Sequence, residues 1–188
     1  MTYLDFIEKY AGVFIALFAL LWTIGTFWWM NWHKGKIEVS TPRTYAAISH
    51  PTENFLLIRL PLVFYNTGAA TIIVQNLRLT LKQEDIKSPI LYFNHIASEI
   101  DTPTQVTWAR QFPVEGRKAV SIICEFLRKP KNNYNFHAGN CTAIIEGKFD
   151  NDANWKIVCK FIIPISENNL RTLNSNQIIA YDNDPDRE

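Results

Sequence analysis

From Ala11 to Trp32 the chain reads AGVFIALFALLWTIGTFWWMNW, an apolar run with no ionisable side chain. A helix rises about 1.5 Å per residue, so roughly 20 such residues cross a hydrocarbon core about 30 Å thick. Tyr3, Phe6 and Tyr10 precede the run; Trp28, Trp29 and Trp32 crowd its exit, followed by His33, Lys34 and Lys36. Amphipathic rings and cations favour the headgroup level, so Tyr10, Trp28, Trp29, Trp32, Lys34 and Lys36 are the expected interface anchors. A cleaved signal peptide fits less well, because Asp5 and Glu8 stand beside Lys9, the run is long and bulky tryptophans occupy the exit. A buried core helix is rarely apolar on every face over this length. The pattern predicts a short tail over 1–10 and one retained transmembrane helix over 11–32.

Within the run, Gly12, Ala16, Ala19, Thr23 and Thr26 follow alternating spacings of four and three residues, which places them on one heptad stripe. Ala11 and Gly25 are the small residues off that stripe. Helices in lipid associate through close packing and a few hydrogen bonds, so the seam predicts a homo-oligomer that meets along it. A water-lined pore is the weaker reading, since two hydroxyls and no charge lie on the seam. Chance is the bland alternative, because small residues are common in membrane helices.

After Gly35 the texture changes to short strand-like runs at Lys36–Ser40, Tyr45–Ser49, Phe55–Tyr65, Thr71–Lys82, Ile90–Phe93, Gln105–Phe112, Ala119–Leu127, Thr142–Asp150 and Trp155–Ile165. Period-two alternation is clearest from Leu77 to Lys82, with leucines on one face. Turn residues separate the runs at Asn66-Thr67-Gly68, Lys87-Ser88-Pro89, Glu115-Gly116 and Asp150-Asn151-Asp152, and a polar stretch covers Lys129–Asn140. These features predict a mainly β domain over 36–166, a two-sheet sandwich or small barrel. Pro61 predicts a bulged or edge strand. A polar tail over 167–188 adds one strand near 177–181.

The stretch Leu60-Pro61-Leu62-Val63-Phe64-Tyr65-Asn66-Thr67-Gly68, followed by Thr71-Ile72-Ile73-Val74, resembles the strand, Asn-x-Gly turn, strand element of bacterial immunoglobulin-like sandwiches. The resemblance implies an immunoglobulin-like β-sandwich after the helix, and no particular activity.

The composition, 47% hydrophobic and 20% charged, excludes a disordered chain. A net charge of +1 without a basic face gives no reason to expect nucleic acid. Phosphate-loop, dinucleotide, serine-hydrolase and zincin signatures are absent. His33, His50, His95 and His137 are scattered; His137 and Cys141 lie four apart but lack further ligands for a metal. Arg128 and His137 do not match the spacing of a helical ribonuclease site. Arg128, Lys129 and Lys131 form the densest basic cluster of the domain, a candidate anion or lipid contact, or a solvated loop. No cofactor, metal, small-molecule substrate or catalytic residue is expected.

Cys124, Cys141 and Cys159 are odd in number, widely spaced and set in apolar runs, as reduced buried cysteines are; one disulfide with a spare thiol is the other option. Lys34, Lys36 and Arg43 outnumber Lys9 across the span, which favours a cytoplasmic C-terminal domain. The expected role is a non-enzymatic, membrane-anchored assembly module whose partners are the bilayer, further copies of the chain and a protein on the β-domain. In outline the chain resembles the small single-helix membrane accessory proteins encoded beside type VI CRISPR nucleases. That resemblance implies a pore-like assembly in a bacterial inner membrane and a part in antiviral defence. Two other readings stay open: an envelope-side tethered module contacting another protein through a sheet edge, and a structural subunit of a larger membrane complex.

Overall fold

The computed structural model describes residues 3–50, 55–83, 86–102, 105–128, 134, 136–173 and 178–183. The first helix, α1 (Tyr3–Asn31), contains the segment Tyr10–Asn31, long and apolar enough to cross a membrane, and no part of that segment is buried against the protein. Large apolar side chains surround it: Val13, Phe14, Leu17, Phe18 and Trp22 are all more than half exposed. Length and exposure are those of a membrane anchor or a signal sequence.

The rest is mainly β. The strands are β1 (Ile37–Val39), β2 (Thr44–His50), β3 (Phe55–Asn66), β4 (Ile72–Gln83), β5 (Ile86–Lys87), β6 (Leu91–Ala97), β7 (Val106–Trp108), β8 (Phe112–Val114), β9 (Ala119–Arg128), β10 (Gly139–Phe149), β11 (Lys156–Ile165) and β12 (Ile179–Asp182), with a short helix α2 (Glu167–Leu173) before the last. They form one hydrogen-bonded ladder in the order β11-β10-β4-β6-β9-β3-β2-β12, with β1 on β3, β5 and β8 on β4, and β7 on β6. The sheet curls into a half-barrel. Its two halves enclose one core, and the curl brings Tyr45 of β2 within 3.5 Å of the Pro164 carbonyl on β11.

Alternation explains which side chains fill the core. Leu77, Leu79 and Leu81 of β4 are fully buried, and they share one cluster with Leu56, Ile58, Leu60, Leu62 and Phe64 of β3, each inaccessible or nearly so. Fully burying an aliphatic side chain of this size stabilises the fold by about 1.5–3 kcal/mol. Tyr134 and Phe136 also reach the core, packed edge to face at 5.6 Å between ring centres, although they lie in the stretch that reads as polar. Leu173 of α2 is buried as well, and β12 pairs with β2 from Ile179↔Ala47 to Asp182↔Thr44, so the strand expected near 177–181 is present at 179–182.

One expectation is corrected. The strand carrying Pro61 is interior, paired with β9 from Leu56↔Arg128 to Tyr65↔Ala119. Its opposite edge is shared: β2 covers Phe55–Arg59 and β1 covers Phe64–Asn66. Pro61 falls in the gap between those two ladders, where a missing N–H costs least.

Candidate functional site

The end of α1 is locked to the domain by backbone contacts. The His33 carbonyl accepts the amides of Ala69 and Ala70 at 2.8 and 3.2 Å, and the Lys36 amide donates to Thr67 Oγ1 at 3.0 Å. The Asn66 side chain shapes the receiving turn: its Oδ1 accepts the Gly68 amide, and its Nδ2 donates to the carbonyls of Ala70 and Val114. Gly35 and Gly68 meet backbone to backbone. A Cβ on either would lie 1.9 Å from the other's nitrogen, so only glycine fits at both. Arg117 reaches the Trp29 carbonyl at 3.4 Å from a neighbouring turn.

Five of the six expected interface anchors gather at this junction. Trp29 stacks on His33 at 4.0 Å and Trp28 meets the same ring edge-on at 5.8 Å, while Trp32 packs against Phe27 at 5.5 Å. Lys34 and Lys36 are exposed beside them, and Tyr10 lies about 30 Å away along the helix, at the 1.5 Å rise per residue.

Gly12, Ala16, Ala19, Thr23 and Thr26 are all exposed on one stripe of α1. Both threonine hydroxyls donate within the helix: Thr23 to the Ala19 carbonyl at 2.8 Å, and Thr26 to the Trp22 and Thr23 carbonyls at 2.9 Å. The seam is therefore small and already satisfied in its donors.

Arg128 lies at the other end of β9 from the junction. Its guanidinium donates to the Ile90 carbonyl at 3.0 Å and lies 5.9 Å from the Tyr92 ring centre. Lys129 and Lys131 lie outside the described residues.

Sequence reasoning missed a charged cluster on the outer face of the sheet. Arg59, Glu125 and His95 sit side by side on β3, β9 and β6. Glu125 accepts from Arg59 Nε at 2.7 Å and contacts His95 Nδ1 at 2.8 Å. Arg59 Nη1 also donates to the Thr102 carbonyl, in the connection after β6, at 2.7 Å, and Trp108, 80% exposed, lies over His95 at 4.7 Å. The signal was available only as an arginine inside an apolar run, which a single strand does not explain. Among the described residues no group of three metal-ligating side chains forms. All three cysteines are free and buried.

No family model and no curated protein matches the chain. Among solved structures, a structural-genomics target (SoR45) is similar at 7% identity and a TM-score of 0.40, covering 71% of this chain and 87% of its own. A Bacillus subtilis chain described as a lipoprotein (ycdA) is similar at 11% identity and a TM-score of 0.41, covering 77% of this chain and 41% of its own. A protein from Archaeoglobus fulgidus stands at 6% identity and 0.36, covering 80% and 98%. None of these bears on activity.

Proposed function

We propose that the chain is a non-enzymatic, membrane-anchored module that self-associates through α1 and carries its β-domain at the cytoplasmic face of a cell membrane. The observation that carries this reading is the seam itself: an exposed stripe of small residues whose hydroxyl protons are already bonded within the helix. Such a surface suits close helix packing. It suits a wet channel less, so a pore-like assembly, with the antiviral role its outline implies, is the sharper and more demanding form of the proposal. The immunoglobulin-like reading of the domain draws on the turn at Asn66–Gly68, which joins β3 to β4 across the positions of β9 and β6 in the sheet order.

The test is light scattering on the full-length protein in detergent. Ala16→Leu with Ala19→Leu should disperse a discrete oligomer while the β-domain stays folded; an unchanged particle size would remove the seam as the contact. A second reading, a tethered module that binds another protein, is favoured by Trp108, whose exposed ring on the outer face of the sheet suits a partner.

A further inference from the structure

The groove beside the helix exit is lined by Lys34, Lys36 and Lys156 together with Asp150 and Asp152, over an apolar floor that includes Ile72 and Phe149, and encloses about 560 Å³. We infer that it holds the headgroup of an aminophospholipid, phosphate on the lysines and ammonium toward the aspartates. The inference rests on the reading of α1 as a membrane span.

Three observations support it. First, position: Lys34 and Lys36 follow the apolar helix within a few residues, so the groove opens at headgroup level. Second, the far wall is built rather than incidental. Asp150 exchanges two hydrogen bonds with Ile73, its amide to the Ile73 carbonyl at 2.8 Å and its Oδ1 accepting the Ile73 amide at 2.9 Å. Asp152 pairs with Lys156 at 2.8 Å and accepts the Asn154 amide at 2.9 Å. Trp155, at the tip of the same hairpin, is held under the Arg78 guanidinium at 4.4 Å. Third, the charges are mixed and incomplete: Lys36 pairs with Glu38 at 3.2 Å, whereas Lys34 has no acidic partner among the described residues. A monoanionic phosphodiester supplies that partner. Ile157, 67% exposed on the rim, offers apolar surface to the glycerol and acyl region.

The experiment is native mass spectrometry of the full-length protein in detergent, with phosphatidylethanolamine, phosphatidylglycerol or inorganic phosphate added. Wild type and Lys160→Gln, which removes an exposed lysine of β11 outside the groove, should retain phosphatidylethanolamine equally. Lys34→Gln with Lys156→Gln should weaken that binding about thirtyfold, the combined attraction of two lysines at a membrane surface. Equal retention by the double variant overturns the proposal, as does preference for phosphatidylglycerol or displacement of lipid by inorganic phosphate. Carbonate washing of membranes separates the two readings. If the protein stays in the pellet, a lost lipid preference concerns the groove alone; if it washes off, the span falls and the groove with it.

Discussion

Arg59 and Glu125 stand directly opposite each other on β3 and β9, and Glu125 Oε2 lies 2.7 Å from both Nε and Nη2 of Arg59. Both side chains are almost wholly withdrawn from solvent. Such a pair is held in place less by its own net energy than by the penalty of separating it.

Glu125→Gln should therefore destabilise the domain by about 3–5 kcal/mol, since it leaves a buried guanidinium without its counter-charge. Arg59→Met combined with Glu125→Leu should recover much of the loss, because two apolar groups leave no orphaned charge. Urea denaturation in detergent, followed by tryptophan fluorescence, measures both. A loss of less than about 1 kcal/mol for the single variant, the range of exposed pairs, would show that the pair is solvated.

Gly68→Ala should open the junction. Its methyl group collides with the Gly35 backbone, and the Ala69 and Ala70 amides are drawn off the His33 carbonyl. Limited proteolysis should then cut between His33 and Ile37 faster than in wild type. An unchanged cutting rate would mean that the turn absorbs the methyl group.

The thiols should be slow to alkylate in the native protein. Burial pushes the Cys141 thiol up to about 11, against weaker opposing hydrogen bonds from Tyr134 and Lys82, and pushes Cys124 higher still. At pH 8 the Cys141 shift alone leaves roughly a hundredfold less thiolate than an ordinary cysteine. Iodoacetamide should modify all three cysteines in urea and few of them before unfolding.

Acid should loosen the hairpin tip. The Lys156 hydrogen bond, aided by the Asn154 amide, lowers the Asp152 carboxyl from 3.8 to about 2. A depressed carboxylate contributes stability above its unfolded value and loses it as pH falls through the folded one. Wild type should melt slightly above Asp152→Asn at pH 5, and the two should converge only below about pH 2.

The apolar helix, the β class and most strands were legible because each rests on a local pattern: a long uncharged run, or alternation bounded by turn residues. What escaped depends on distant partners. Pro61 reads as an edge residue until β1 and β2 are seen to share one side of β3. Tyr134 and Phe136 sit among polar neighbours, and nothing local shows that the curl leaves a space for their rings. Arg59 is the same case in reverse, a charge in an apolar run whose counter-ion lies on another strand. The junction was half legible: Gly68 marks a turn and Gly35 marks the change from apolar run to strands, and their mutual contact is a fact of the fold.

Because those two glycines leave no slack between helix and sheet, α1 works as a crank rather than a leash. Where α1 spans a bilayer, as proposed, a twist of this exposed rod about the bilayer normal swings the whole domain through the same angle. In the proposed oligomer, the azimuth at which the helices meet would fix which flank of each domain faces its neighbour, so one contact would set the other.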